Sequence, residues 1–510
     1  MNIANKGRAG HAAAVAAGVP AGVMLALGLW GLDRGGMWRD EAVTFQVARR
    51  SVPEIWRLLH GVDAVHGLYY LLMHAVLAVR PGEAVLRLPS VCAAAATAGL
   101  VAALGVRLAR PRVGLWAGLL YAATPLVGHY AQEGRSYALV GAGAAGTTLL
   151  LVRALQGRSW WPYGVVLALT CLLHEFAALL VLAHALTLLH ARVARGAWLR
   201  WAGAAGAAVF ALVPLALVSK AQAGQVAWLP RPGLGSAERL LHAFFGPSGL
   251  VFWTCLVLAL VAVPGPRRLT VASVALPWAV VPPLTLLVVS QLRPMYDDRY
   301  VLYALAGAPL LAAAGADRLL SARDWFTPSA GALAGTLAIA LAFTQHLPLH
   351  RQDRTLRTRP DTLAAVSALA ARELRPGDAV VFLPTIGRRA AVTYPQGFGN
   401  MRDVALKTPG PASGTLYGRE RGAAELRRRL LALDRLWVFA EPYALRSPWR
   451  PRNPTERVKL TVVTEDFVPS VPRREFVREG ITVRLYTRRP PTGSPASPAS
   501  PPARPRPARP

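Results

Sequence analysis

Apolar runs separated by short polar loops fill this chain up to about residue 350. The runs suit a hydrocarbon layer of about 30 Å, which needs about 20 apolar residues per crossing helix. They are Ala12–Leu32, Leu88–Val106, Val113–Gly128, Tyr137–Val152, Pro162–Leu173, Phe176–Leu189, Ala202–Val218, Gly249–Val263, Val271–Ser290, Tyr300–Ala316 and Gly331–Gln345. The pattern predicts a polytopic α-helical membrane protein of about 11 spans. Lys6 and Arg8 precede the first run, which favours a signal anchor with its N-terminus in the cytoplasm over a cleaved signal peptide.

The loops alternate in chemistry. One set carries arginine and almost no acid: Arg107–Arg112, Arg153–Arg158, Arg192–Arg200, Arg267-Arg268 and Arg318–Arg323. The other carries Asp40-Glu41, Asp63 with His66, His129–Arg135, His174-Glu175 and Asp297–Tyr300. The apolar stretch Gly67–Val79 decides the sidedness. It is short for a span and holds His74, Tyr69 and Tyr70, which suits an interfacial or re-entrant helix. If it does not cross, every arginine loop falls inside, as the positive-inside bias requires. A long first outer loop with surface helices follows, from about Asp33 to Arg87.

An odd span count puts the chain beyond Leu347 outside. Residues 1–350 then form the membrane domain and residues 351–489 an extracytoplasmic α/β domain. Asp361 can cap a helix to about Leu374, and a second amphipathic helix covers Ala423–Leu433. The β-rich runs Ala379–Leu383, Leu436–Phe439, Leu460–Val463 and Ile481–Tyr486 predict strands. Residues 490–510 are Pro-, Ala- and Arg-rich and predict a disordered tail.

Composition adds two constraints. The net charge of +30 comes almost wholly from arginine, since the lysines are Lys6, Lys220, Lys407 and Lys459 alone. In a chain with a mean hydropathy of +0.34, such charge points to anionic membrane lipids rather than nucleic acid. Cys92, Cys171 and Cys255 all lie in apolar segments, which suits packing rather than a disulfide framework or a metal site.

Each polar cluster has a plain reading and a chemical one. Asp40-Glu41 is either a carboxylate pair for chemistry near the head groups or acid favoured by a helix N-terminus. Arg135 has fork geometry for phosphate, or pairs with Glu133; Tyr130 and Tyr137 also suit an interfacial belt. Asp297, Asp298, Arg299 and Tyr300 are a second acid–arginine group or an anchored helix end. His174-Glu175 breaks a long apolar run and is a functional candidate by position. His66 alone reads as structural. Asp297-Asp298 lacks the further ligands a divalent metal would want, so a metal is possible and none is assigned.

In this order the clusters resemble a known family. Trp38–Ala42, Asp63–His74, Arg87–Ser90, Tyr130–Leu139 and Arg299-Tyr300 are similar to actinobacterial membrane mannosyltransferase-like proteins, grouped with protein O-mannosyltransferases and aminoarabinose transferases of the C-type glycosyltransferase superfamily. The resemblance covers roughly residues 1–350. It implies a polyprenyl-phosphate sugar donor and transfer on the outer face of the plasma membrane to a glycan, lipid or protein hydroxyl. It makes Asp40 the catalytic acid of the Asp-Glu pair, with Glu41 beside it. It assigns Asp63, His66, Tyr69, Tyr70, Tyr130, Gln132, Glu133, Arg135, Arg299 and Tyr300 to the substrate site, and His174, Glu175, Asp297 and Asp298 join them as candidates by their position at the same face. The loop helix here has Gly67 where relatives commonly have proline, and Tyr137 stands where many have aspartate, with Glu133 the alternative acid. One base with no evident nucleophile suits direct inverting displacement. The competing readings are a lipid-linked substrate transporter or flippase and a non-catalytic envelope scaffold.

Overall fold

The protein is described here by a computed structural model covering residues 3–263, 269–322, 327–354, 363–445, 449–471, 474–478 and 481–490. Arg267-Arg268, Arg323, Asp361 and the predicted tail beyond residue 490 lie outside the described residues. The chain is a mostly helical, multi-pass membrane protein followed by an α/β domain.

Every predicted span is helical. Among the described residues, seven helices are by themselves long and apolar enough to cross a membrane: Gly10–Leu29, Glu83–Leu108, Tyr137–Leu155, Arg195–Ala221, Val271–Leu292, Asp298–Ser321 and Ser329–Asp353. The four remaining predicted spans fall short for physical reasons. Thr124-Pro125 divides one into helices Pro111–Ala123 and Pro125–Ala131. Gly249–Ala262 bends by 84° from its neighbour Leu234–Phe245. Trp161–Leu173 has 13 residues and a length of roughly 20 Å, and a break at His174 separates it from Glu175–Ala191. Phe210, Leu217, Leu337 and Leu341 face outward from their helices, as lipid contact requires. Inside the bundle, a Cβ on Gly105 would come within 2.7 Å of the Gly114 Cα, so glycine sets how closely two helices cross.

The bundle has two chemically distinct ends. At one, Arg107 donates to Gln156 (2.6 Å) and Arg112 pairs with Asp317 (2.5 Å). At the other, Asp40, Arg87, Arg135, His174 and Arg299 converge with the first-loop helices Arg39–Ala48, Val52–Leu59 and Gly67–Val79. The alternation read in the sequence is thus an axial polarity of the fold.

The C-terminal part is built on a six-stranded sheet. Strand Ala379–Leu383 lies parallel to both Arg402-Asp403 and Arg435–Ala440, and Ile481–Arg488 runs antiparallel to the latter. Leu460–Val463 is not a strand. It lies in helix Pro454–Glu465, where Asn453 accepts from the Thr455 amide, Pro454 opens the first turn, and buried Lys459 pairs with Glu456. Those start signals outweigh a four-residue run with three β-branched side chains.

One face of this sheet does not stand apart from the membrane region. Phe382, Trp437, Phe439, Ile481 and Val483 share a continuous apolar core with Met37, Ala42, Phe45, Tyr69, Tyr70 and Met73 of the first loop. The helix bearing Asp40 is therefore packed between bundle and sheet.

The arginine distribution gives the fold a direction. In a background lacking Cys92, Cys171 and Cys255, Ala412→Cys should react with a membrane-impermeant thiol reagent in intact cells. Ser159→Cys, at the arginine-rich end, should react only after permeabilisation. The reverse pattern would invert the topology.

Candidate active site

The site begins with the turn that follows the first helix. Helix Arg39–Ala48 starts two residues after Met37, and its first turn holds Asp40 and Glu41. Acids are favoured at a helix N-terminus, yet the two side chains have different surroundings. Glu41 is fully buried, and its carboxylate takes a two-pronged ion pair from Arg87, with Nε–Oε1 and Nη2–Oε2 both 2.8 Å. The Gly134 amide donates to the same Oε1 at 2.9 Å. Arg87 spends its other N–H groups on the carbonyls of Leu32, Arg34 and Gly36. Glu41 is thus engaged as a structural anion, which is why the catalytic candidacy of the pair narrows to Asp40.

Asp40 turns the other way and keeps 31% of its side chain exposed. Arg299 Nη1 donates to its Oδ2 at 2.9 Å. Arg299 itself is held by Asp297, through Nε at 3.4 Å and its own amide at 3.2 Å, and lies over the rings of Tyr137 and Tyr300. The cation is therefore aimed rather than free to swing.

Arg135 comes from the turn after helix Pro125–Ala131. Ser90 fixes that turn by donating to the carbonyls of Glu133 (2.6 Å) and Arg135 (3.2 Å). The buried guanidinium reaches the Thr44 hydroxyl (3.3 Å) and donates to His66 Nε2. A guanidinium only donates, so His66 must be neutral with its proton on Nδ1. Burial, then the neighbouring Arg135, hold the His66 pKa well below its usual value. Nδ1 faces Asp63 at 3.9 Å, and Asp63 accepts from Tyr70 at 2.7 Å.

The predicted site residues separate into groups. Asp40, Asp63, His66, Tyr70, Arg135, Asp297, Arg299 and Tyr300 form one polar cluster, with His174 packed at a tilt among the rings of Tyr137, Phe176 and Tyr300. Tyr69 is fully buried behind it, and Tyr130 packs edge-on to Tyr137. Gln132 is turned away and donates to the carbonyls of Gly28 and Trp30. Asp298 points to the far side of the cluster, where it accepts from Tyr296. Glu133 lies near both acids in a turn outside the spanning helices. Burial pushes its carboxyl up to about 7, against the pull of His129 3.8 Å away.

Two clefts open beside this cluster. One, of about 610 Å³, is lined by His66, His174, Glu175 and Tyr300, by apolar Phe176 and Met295, and by the cations Lys220 and Arg293. The other, of about 900 Å³, is bordered by His129, Glu238, Arg239, Asp298 and Asp353. Sequence reasoning missed Lys220 and Arg293 as site residues. Their only signal is position, each standing where an apolar helix ends at the acid-rich face. Among the described residues, no three His, Cys, Asp or Glu side chains converge as a metal centre would require.

Comparisons with known proteins give a family match over part of the chain and a shared fold over most of it. Residues 67–219 match the family model of dolichyl-phosphate-mannose-protein mannosyltransferases. The matched stretch holds Tyr70, Arg87, Glu133, Arg135 and His174 and leaves Asp40 and Arg299 outside it. The chain is similar in fold to ArnT from Cupriavidus metallidurans in the apo state, at a TM-score of 0.59 and 13% identity, covering 92% of this chain and 97% of that one. It is similar also to ArnT bound to undecaprenyl phosphate, at a TM-score of 0.57 and 13% identity over the same shares. No curated protein matches the chain. The segment match and the shared fold bear out the resemblance to C-type glycosyltransferases read from the motifs.

Two outcomes follow from the buried charges. Arg87→Met removes the two-pronged counter-ion of buried Glu41, at a cost of about 3–5 kcal/mol, whereas Arg87→Met with Glu41→Leu should recover most of that loss. Thermal unfolding in detergent measures both; a double variant no better than the single one contradicts the clamp. Glu133 has a folded pKa raised above its unfolded value. Its contribution to stability is complete below about pH 4.5 and is lost as pH rises through about 7. The melting temperature of the parent should therefore fall more between pH 5 and 8 than that of Glu133→Gln.

Proposed function

We propose that this protein is a membrane glycosyltransferase that moves a sugar, a hexose such as mannose or a pentose, from a polyprenyl-phosphate donor to an acceptor hydroxyl on the extracytoplasmic side. The observation that carries the reading is the division of labour within the acid pair. Glu41 is consumed by Arg87 and Gly134, while Asp40 remains partly exposed and oriented by Arg299, whose neighbour Tyr300 lines one of the clefts. The mannosyltransferase segment match and the ArnT-like fold support the same class.

In the proposed mechanism the donor lies in the cleft that holds Lys220 and Arg293. Its phosphate meets cations there, and its isoprenoid chain follows the apolar wall. The acceptor enters from the cleft bordered by Asp298 and Asp353. Asp40 takes the proton of the acceptor hydroxyl as the oxygen attacks the anomeric carbon, and the bond from that carbon to the phosphate oxygen breaks. The electron pair leaves with polyprenyl phosphate, whose charge Arg299 and Lys220 stabilise. A single displacement inverts the anomeric centre. The leaving group carries less charge than a nucleotide diphosphate, so the cations present answer its demand. Neutral His66 positions Arg135 rather than exchanging protons.

The base assignment has a direct test. Asp40→Asn should lower single-turnover transfer from a radiolabelled polyprenyl-phosphate sugar by about 10²–10⁴-fold while leaving donor binding intact. Arg299→Ala and Lys220→Ala should weaken donor binding, by about 1.5–3 kcal/mol for each charge-assisted hydrogen bond lost. Asp40→Asn within a factor of about ten of the parent would remove Asp40 as the base.

A further inference from the structure

The outer α/β domain touches the catalytic turn at two points that flank Asp40. The first is Tyr394, at the end of the short helix Arg389–Thr393. Its hydroxyl accepts from the Met37 amide at 2.8 Å and donates to the Glu83 carboxylate. Glu83 opens helix Glu83–Leu108, and Arg87, one turn later on that helix, holds Glu41. Tyr394 therefore closes a ring of contacts from Met37 through Glu83 and Arg87 back to Glu41. The second point is Glu441, which follows strand Arg435–Ala440. Buried Arg389 holds it at 2.8 Å, and it reaches Arg39, the residue before Asp40, at 3.6 Å.

A buried apolar interface backs these two contacts. Ala390 is fully buried beside the Asp40 helix, and the apolar core beneath it runs without interruption from the sheet into the first loop. Beyond the far end of the same helix, Arg50 donates to the Leu416 carbonyl at 3.2 Å. Helix Arg39–Ala48 is thus gripped by the outer domain before its first turn and after its last. A turn held at both ends loses the torsional freedom that would let a carboxylate drift from its line of attack, and misplacement of about 1 Å costs roughly 10²-fold in rate.

We propose that the outer domain is a positioning element of the catalytic centre, in which Tyr394 and Glu441 act as positioning residues that fix the Asp40 turn against the bundle. The proposal rests on Asp40 being the base, but its structural half does not. Tyr394→Phe keeps the ring and its packing and removes only the hydroxyl; Glu441→Gln keeps the shape and removes the charge.

The experiment uses the full-length protein in lipid nanodiscs. Amide exchange followed by mass spectrometry should quicken over residues 37–48 in Tyr394→Phe, with residues 137–155 unchanged. Single-turnover transfer at saturating donor should fall roughly tenfold to hundredfold, while the KM for donor stays within about twofold of the parent. Glu441→Gln should show the same split to a lesser degree. Unchanged exchange over residues 37–48 overturns the proposal. So does unchanged transfer in a protein whose parent is active. If the parent moves no sugar, the glycosyltransferase reading fails, and the exchange result alone decides whether the outer domain holds the turn.

Discussion

The buried pair of Arg87 and Glu41 is the constraint on which the site depends. All five guanidinium N–H groups have acceptors: two on Glu41 and one each from Leu32, Arg34 and Gly36. Glu41 in turn takes the Gly134 amide. One interaction thus ties together the turn after the first helix, the start of the Asp40 helix, the start of helix Glu83–Leu108 and the turn that carries Glu133 and Arg135. Desolvating two charges gives back little net stability. What the pair supplies is geometry, because its hydrogen bonds fix these four segments relative to one another.

This geometry separates two neighbouring acids. Adjacent positions on a helix point about 100° apart, so only one of them can face the clamp. Glu41 does, and Asp40 is left partly exposed with Arg299 against it. Asp297 and the rings of Tyr137 and Tyr300 keep Arg299 in place, and His66 does the same for Arg135. The cations and the proposed base are held by neighbours that do not themselves need to touch substrate.

Much of this was legible in the sequence because it rests on one-dimensional signals. Apolar run length marks helices, loop charge marks the two ends, and the acids of separate loops do meet. The partition between Asp40 and Glu41 was not legible, since it depends on Arg87, which lies 46 residues away at the end of the first loop. Lys220 and Arg293 become neighbours only through the packing of helices Arg195–Ala221 and Val271–Leu292 around one cleft. The strand predicted at Leu460–Val463 failed because local composition was weighed above the capping signals at Asn453 and Pro454. A division of the chain near residue 350 follows from hydropathy, but hydropathy does not show that the sheet and the first loop share one core.

That shared core has a consequence for how the protein is made. Ribosomes deliver the first loop early, yet the partner of Met37 is Tyr394, 357 residues later. Throughout membrane insertion the Asp40 helix lacks the apolar surface it packs against, and contacts this distant in sequence form slowly. The Asp40 turn is completed only when the C-terminal segment has folded against it. A truncated chain would therefore insert with that turn unfinished, which makes folding of the C-terminal region the closing step in its assembly.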